Sequence, residues 1–206
     1  MSGLFVRSLL GGFYVGLALL ASLLVAHIPE FGGLLRAVVF PVGILLVIYA
    51  NGALFTGVAG QFATRGIFSR RGNTFTFNQE PLKQFGKDLT VSLIGNIIGI
   101  AALTLLLGRQ IGSIDVRVNT PVLHLFTWGI LCNIMVYLAL NAKMPLTQAI
   151  PIFIFILAGF THSIADIALM AFSGQYHWFI IPVILGNLVG GVVFSVIAEA
   201  AKPKPA

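Results

Sequence analysis

Two ionisable residues, His162 and Asp166, lie within the apolar stretch AGFTHSIADIA (158–168). They are one helical turn apart, so a helix places both side chains on the same face. Either group is costly in hydrocarbon unless it faces a cavity or a partner, and such residues mark ion pathways and proton relays. A neutral buried histidine can donate or relay a proton. The pair therefore indicates a site where a small solute meets a titratable group inside a membrane.

The composition places this pair in a lipid bilayer. Of the 206 residues, 58% are hydrophobic and only 9% are charged, and the mean hydropathy is +1.00. A soluble domain carries about 25% charged residues. Charge-free runs lie at 8–29, 37–64, 89–108, 118–142, 144–165 and 167–198. Each run is long enough for the roughly 20 apolar residues of a spanning helix.

These runs predict an all-α integral membrane protein with six transmembrane helices. Asp166 alone separates the last two runs, so the fifth span is placed at about 149–172 and contains both ionisable residues. The apolar stretch 8–26 is longer than the roughly 7–15 residues of a signal-peptide core, and it is interpreted as the first span. Cys132 is the single cysteine, so no intrachain disulfide is expected.

The basic residues predict the orientation of the six spans. With the N-terminus inside, nine basic residues fall on the cytoplasmic side and three on the opposite side, which is a clear positive-inside bias. The inside set is Arg7, Arg65, Arg70, Arg71, Lys83, Lys87, Lys143, Lys202 and Lys204, and the outside set is Arg36, Arg109 and Arg117. Both termini are thus expected in the cytoplasm, with the protein in the cell membrane. The loop 65–88 is cytoplasmic and has room for a short surface helix.

An internal repeat indicates how the spans are arranged. SLIGNIIGIA (92–101) resembles VILGNLVGGV (183–192), and GALFTG (52–57) has a looser counterpart in AGFTHS (158–163). One membrane domain, 1–206, then consists of two halves of opposite orientation, about 1–108 and 118–200. Inverted repeats place a substrate site near the midplane between broken helices. In the second span Asn51, Gly52 and Gly57 suit a break, which brings Thr56 to the depth of His162.

Small and polar residues complete the pattern within the spans. Glycines spaced four apart, as in Gly12/Gly16 and Gly95/Gly99, predict close packing of helices. Asn96 and its counterpart Asn187 are interpreted as braces for irregular backbone, because unsatisfied polar groups are costly in lipid. Asn133 either braces the backbone or faces the pore, and both interpretations stay open.

Five segments occur in an order and spacing that point to one family. They are FPVGILLVIYANGALFTG (40–57), SLIGNIIG (92–99), WGILCNIMVYLA (128–139), AGFTHSIAD (158–166) and IIPVILGNLVGG (180–191). Taken together they resemble the formate/nitrite transporter family of small monovalent anion channels, which also includes hydrosulfide and lactate channels. The resemblance runs along almost the whole chain.

The resemblance implies a homopentamer in which each protomer has an aquaporin-like six-helix fold and its own pore. Broken second and fifth helices meet at a central histidine, which corresponds to His162. The family's other pore positions fall on Phe40 and Phe155 (outer constriction), Ile44, Leu54 and Phe55 (inner constriction), Thr56 and Asn133 (central pore), and Arg117 (outer vestibule).

Three departures from the family pattern concern the same region. Thr161 replaces the acidic residue that usually precedes the histidine, and Asp166 replaces a frequent asparagine. Arg117 replaces a vestibule lysine, and arginine keeps the cation but does not release its proton. If Arg117 gathers anions electrostatically, lysine should replace it with little effect. Asp166 is expected to point away from the pore, to pair with another group, or to be protonated.

Three classes of function remain to be compared. The favoured class is a proton-coupled channel or transporter for small monovalent anions, with formate or nitrite ahead of hydrosulfide, acetate and lactate. An aquaporin-like pore for neutral solutes is the alternative, although the chain has no Asn-Pro-Ala motif. An intramembrane enzyme is disfavoured, because no nucleophile partner or cofactor motif accompanies His162. Neither a cofactor, a metal site nor a nucleic-acid partner is expected.

Overall fold

The computed structural model describes residues 3–71, 74–108 and 111–202. Arg109 and Lys204, which enter the charge count above, lie outside the described residues. The helices are α1 (Gly3–Val25), α2 (Gly32–Val39), α3 (Pro41–Tyr49), α4 (Phe55–Ala59), α5 (Gln79–Leu107), α6 (Asp115–Val118), α7 (Val122–Asn141), α8 (Pro145–Leu157), α9 (Ser163–Ser173) and α10 (Ile180–Ala200). A 3₁₀ turn (Phe62–Arg65) and strands β1 (Phe68–Arg71) and β2 (Thr74–Phe77) lie between α4 and α5.

The predicted all-α membrane fold is confirmed. Within the described residues, five helices are long and apolar enough to cross a membrane, with α2 and α3 counted as one. The fifth span is broken, as predicted, into two shorter apolar helices, α8 and α9. The outer surface is rich in exposed apolar side chains, as a lipid-facing surface requires; examples are Leu105, Leu106, Leu123 and Leu146.

The second span is interrupted after its main helix. Helices α2 and α3 continue into each other through Phe40, and Pro41 occupies the first position of α3, where a missing N–H is tolerated. The chain then leaves the helical conformation at 50–54 before α4 begins. Asn51 and Gly52 lie in this break as predicted, whereas Gly57 lies inside α4. A Cβ on Gly57 would approach the Leu140 side chain to 3.0 Å, so close packing against α7 explains this glycine.

Glycines set the spacing of the main helix pairs. A Cβ on Gly12 would lie 2.1 Å from the Asn96 carbonyl oxygen, so α1 and α5 are in backbone contact there. A Cβ on Gly186 would lie 2.2 Å from the Phe126 carbonyl oxygen, which gives the same contact between α10 and α7. The predicted packing role of the small residues is confirmed.

The loop 65–88 contains a hairpin that the sequence did not predict. Strands β1 and β2 are antiparallel and Phe68 pairs with Phe77, while the helical part of 65–88 is the beginning of α5. The loop is also shorter, because α5 begins at Gln79 rather than near Asp88. Charged residues at this end of α5 mark a helix that extends beyond the bilayer, where ion pairs such as Lys83–Glu80, 2.7 Å, are solvated.

Candidate functional site

The two interrupted spans break in the same backbone conformation. Asn51 in the first break and Gly159 in the second have positive φ values of 61° and 73°. This left-handed region suits glycine and, among other residues, asparagine best. Residues 50–54 and 158–162, here called the first and second breaks, therefore end their preceding helices with the same type of left-handed cap.

The hydrogen bonds of the two caps also correspond. Gly52 N–H donates to the Val47 carbonyl over 2.8 Å, and Phe160 N–H donates to the Phe155 carbonyl over 3.0 Å. Such a bond from beyond the left-handed residue back into the helix is the Schellman motif. It satisfies carbonyls that would otherwise be exposed to a low-dielectric interior.

Asn96 braces the first break from helix α5. Its Nδ2 donates to the Ala53 carbonyl over 2.9 Å and to the Ser8 carbonyl over 2.6 Å. Its Oδ1 accepts from Phe55 N–H over 2.9 Å. The amide thus holds both sides of the break to α1 and α5, which confirms the predicted bracing role.

Asn187 makes the equivalent bonds around the second break. Its Nδ2 donates to the Thr161 carbonyl over 3.0 Å and to the Gly129 carbonyl over 2.8 Å. Its Oδ1 accepts from Ser163 N–H over 2.7 Å. The bracing role predicted for Asn187 is confirmed, and the two halves of the chain use one device twice.

The asparagine bonds define the register of this correspondence. They pair Ala53 with Thr161, and hence Leu54 with His162. Both of these residues have extended backbone and directly precede a short helix, α4 and α9 respectively.

His162 lies at the centre of the protein. It is 4% exposed, and its ring stacks on Phe155 with centroids 5.8 Å apart and an interplanar angle of 13°. Nδ1 accepts a hydrogen bond from Ala165 N–H over 3.1 Å, which caps α9. A neutral imidazole that accepts at Nδ1 carries its proton on Nε2. Nε2 lies 3.4 Å from Thr56 Oγ1, so the predicted meeting of Thr56 and His162 is present.

The residues predicted to form the outer constriction are in contact. The rings of Phe40 and Phe155 pack edge to face, with centroids 5.9 Å apart and an interplanar angle of 77°. Both rings are buried. Because Phe155 also stacks on His162, the aromatic pair lies directly beside the central histidine.

The residues predicted to form the inner constriction lie deeper in the core. Ile44, Leu54 and Phe55 are all buried and belong to the same hydrophobic cluster as the phenylalanine pair. None of them lines the three cavities described next.

Three cavities follow one another across the molecule. The largest, called the outer vestibule, has a volume of about 620 Å³ and is lined in part by His27, Arg36, Arg117, Trp128 and Phe160. A small antechamber of about 50 Å³ lies next to it and is lined in part by Ser22, Arg36, Phe40, Arg117, His162 and Asp166. An inner vestibule of about 140 Å³ is lined in part by Thr56, Gln61, Thr64, Tyr137 and Asn141. His162 and Thr56 therefore mark the boundary between the antechamber and the inner vestibule.

Arg117 lines both the outer vestibule and the antechamber, and each of its three guanidinium nitrogens donates one hydrogen bond. Nε donates to Asp166 Oδ1 over 3.0 Å in a partly buried ion pair. One terminal nitrogen donates to the Gly159 carbonyl over 3.0 Å, and the other to the Phe160 carbonyl over 3.1 Å. The side chain predicted to gather anions therefore holds the second break in place, with its charge balanced by Asp166.

Asp166 adopts one of the three arrangements expected from the sequence, because it is paired. Its Oδ1 is used by Arg117, while Oδ2 is buried with no hydrogen-bond partner among the described residues. The sequence contained a signal for this pair. By the resemblance, position 117 keeps a cation and Asp166 is an added carboxylate, so the two side chains carry opposite charges.

Two further predicted residues have backbone partners. Asn133 Nδ2 donates to the carbonyls of Thr56, 3.2 Å, and Asn187, 2.6 Å. Of its two interpretations, the geometry therefore favours the brace. Thr161 Oγ1 donates to the Leu125 carbonyl over 2.8 Å, which ties the second break to α7.

Sequence reasoning missed the position of Arg36, which entered the sequence analysis only in the count of basic residues. It lies one helical turn before Phe40 and lines both the outer vestibule and the antechamber. Its spacing from the phenylalanine was the signal that could have placed it there.

This arrangement defines a class of protein. Broken membrane helices that meet at a buried polar pair, with cavities on either side, belong to channels and transporters rather than to enzymes. Residues 1–201 match the sequence profile of the family described as Formate/nitrite transporter. The chain belongs to the formate/nitrite transporter family, and the predicted resemblance is confirmed.

Individual relatives agree with this assignment. The chain is 28% identical to the "Nitrite transporter NirC" of Salmonella typhimurium over 230 residues, covering 93% of this chain and 80% of the relative. It is 28% identical to the "Probable formate transporter" of Methanothermobacter thermautotrophicus over 236 residues, covering 92% and 84%.

Solved structures share the fold. One, an "FNT family ion channel", superposes with a TM-score of 0.79 at 25% identity, covering 98% of this chain and 90% of that one. A second, a "Pentameric formate channel with formate bound", gives a TM-score of 0.73 at 23% identity, covering 96% and 95%.

Proposed function

We propose that this chain is a pentameric channel for small monovalent anions of weak acids, with formate and nitrite as its substrates and a proton moving with the anion. The observation that carries the proposal is the row of cavities interrupted at His162 and Thr56. The outer vestibule and antechamber reach His162 from one side, and the inner vestibule reaches Thr56 from the other. The names of the relatives support the substrate class.

Charge selects the form in which the solute crosses. The Phe40–Phe155 pair offers no hydrogen bond to replace the hydration of an anion, and an unpaired charge is costly to bury. A neutral weak acid crosses such a barrier at much lower cost. The anion therefore passes the apolar barriers together with a proton, and flux in either direction follows the gradients of both.

His162 serves this passage through Nε2. Because Nδ1 is engaged by Ala165 N–H, the ring presents its Nε2–H towards Thr56 Oγ1. This N–H can donate to a carboxylate or nitrite oxygen at the point where the anion has left the outer water. A relay of the proton through the ring would require protonation of Nδ1, which breaks the hydrogen bond that caps α9. A hydrogen bond from Nε2–H to the anion keeps this cap and therefore costs less free energy.

The assembly and orientation are part of the proposal. The solved pentameric formate channel has the same fold, and the exposed apolar surface of this chain is available to neighbouring protomers and to lipid. The positive-inside bias supports a cell-membrane protein with both termini in the cytoplasm. Cysteine introduced at Ser2 or Ala206 should resist an impermeant thiol reagent added from outside, and labelling of either position contradicts this orientation.

Flux in proteoliposomes tests the proposal. Purified protein should carry formate or nitrite down a gradient and move protons with it, as reported by a pH dye inside the vesicles. Osmotic water flux should stay at the level of empty vesicles. Water or neutral-solute flux without anion flux would favour the aquaporin-like alternative and reject the proposal.

A further inference from the structure

Arg36 differs from the other arginine that reaches both outer cavities. It belongs to the last turn of α2 and lies one turn from Phe40. Its side chain lines the outer vestibule and the antechamber, and it makes no hydrogen bond or ion pair with any of the residues that the structure describes. A guanidinium with five free donors therefore lies at the passage between the two cavities.

The charges around this passage leave Arg36 uncompensated. Arg117 is neutralised by Asp166, and three of its donors are used. Among the described residues, the other titratable groups that line the two cavities are His27 in the outer vestibule and His162 in the antechamber. Asp166 is already paired, so this part of the lining supplies no second carboxylate to balance Arg36.

We propose that Arg36, and not Arg117, captures the anion at the outer mouth. Its planar guanidinium matches the two oxygens of a carboxylate or of nitrite, which it binds through two parallel hydrogen bonds. The anion then moves from Arg36 into the antechamber, where it meets the Phe40–Phe155 pair and His162. The inference rests on the proposed function and assigns its capture step to one residue.

A structural role for Arg36 has less support. A cation near the C-terminus of a helix is stabilised by the free carbonyls at that end. Helix α2, however, has no free end, because it continues through Phe40 into α3, and Phe40 N–H donates to the Arg36 carbonyl over 3.1 Å. The side chain is also exposed, so little packing depends on it.

The test compares formate uptake by proteoliposomes at two ionic strengths. Charge capture acts over about 30 Å at 10 mM salt and only about 8 Å at 150 mM salt. Arg36→Gln should slow uptake about three- to tenfold at low salt and much less at high salt, since electrostatic steering is lost on screening. Arg36→Lys should keep most of the low-salt rate. Lys143→Gln, which removes one exposed positive charge outside the three cavities, is the matched control and should behave as the wild type.

Each other outcome counts against the inference. If Arg36→Gln takes up formate at the wild-type rate at low salt, Arg36 does not capture the anion. Equal slowing at both ionic strengths, or failure to assemble while Arg36→Lys assembles, assigns Arg36 a structural role instead. Wild-type protein that carries no anion rejects the proposed function itself, and this control is measured first, so the two failures are distinguishable.

Discussion

The first and second breaks share their backbone and differ in their side chains. In each, a left-handed residue caps the preceding helix, and an arginine donates to the carbonyl of that residue. Arg7 donates to Asn51 over 3.2 Å, and Arg117 donates to Gly159 over 3.0 Å. Together with the bonds of Asn96 and Asn187, these contacts make the two loops near copies that meet at the middle of the molecule.

The chemistry belongs to the second break alone. Where it has His162, the first break has Leu54. One turn later, Asp166 N–H donates to the His162 carbonyl over 2.8 Å, and Val58 N–H donates to the Leu54 carbonyl over 2.9 Å. A buried valine thus stands where the other half has a buried carboxylate. The duplicated backbone sets the position of the site, and the residues of one half supply its imidazole and its charges.

Removal of Arg117 should have the largest effect on stability and should break the likeness of the two halves. Arg117→Ala leaves Asp166 buried without its partner, which costs about 3–5 kcal/mol. Arg7→Ala removes one exposed hydrogen bond and should cost about 1 kcal/mol or less. Thermal unfolding of the detergent-solubilised proteins measures both. If the two variants unfold at the same temperature, Arg117 is not the brace described here.

The same geometry changes the expectation for Arg117→Lys. A residue that only attracts anions by its charge can be replaced by lysine. A lysine ammonium is a compact point charge, however, and cannot contact the carboxylate of Asp166 and two carbonyls at once. The variant should therefore unfold at a temperature between those of the wild type and of Arg117→Ala. A variant as stable as the wild type would restore the simpler electrostatic role.

The two asparagines provide a test of symmetry. Asn96→Ala and Asn187→Ala each leave one buried N–H and one carbonyl of the break without a partner, at about 1–3 kcal/mol for each unsatisfied group that does not find water. The other carbonyl that each asparagine contacts, that of Ser8 or Gly129, lies within a helix and keeps its helical hydrogen bond. Because the bonds are equivalent, the two losses should agree within about 1 kcal/mol in unfolding experiments. A loss of stability in Asn187→Ala alone would show that only the second break depends on its asparagine.

The sequence predicted those features that follow from local patterns. Charge-free runs located the spans, and Asn51 with Gly52 located the first break, because positive φ restricts residue type. The pairing of Arg117 with Asp166 joins α6 to α9, and no periodicity within either helix reports such a contact. The hairpin was missed because its short strands lie in a polar, basic segment that resembles an ordinary loop. The constriction, vestibule and pore roles came from resemblance and stay predictions.

Substitutions of His162, which only the second half contains, should change transport more than they change stability. His162→Phe removes the α9 cap, which costs about 1 kcal/mol, yet fills a site beside Phe155 that already accepts an aromatic ring. Formate-coupled proton flux should be lost while the pentamer stays assembled. Size-exclusion chromatography and a pH dye inside proteoliposomes measure the two properties. Unchanged flux and pH profile in assembled protein would make the histidine a packing residue.

His162→Asn separates the cap from the proton. Asparagine is a good helix cap and keeps a hydrogen-bond donor, so α9 should retain its stability. It does not titrate, so the anion should pass with an altered pH dependence or without its proton. A pH profile identical to that of the wild type would show that the solute alone carries the proton.

Asp166→Asn is expected to have a small effect on stability, and it separates the roles of Arg36 and Arg117 most clearly. The asparagine oxygen can still accept from Arg117 Nε, so the brace should persist with a loss of about 1 kcal/mol. The Arg117 charge is then no longer balanced, and the outer cavities gain a second uncompensated cation beside Arg36. Uptake of formate at about 10 mM salt should rise, and the gain should vanish on screening at 150 mM. In the double variant Arg36→Gln/Asp166→Asn, the unbalanced charge of Arg117 should restore part of the salt-dependent uptake rate that Arg36→Gln loses. If Asp166→Asn instead slows uptake equally at both salt concentrations, the carboxylate itself takes part in transport. The pathway would then contain two titratable groups, His162 and Asp166, rather than one.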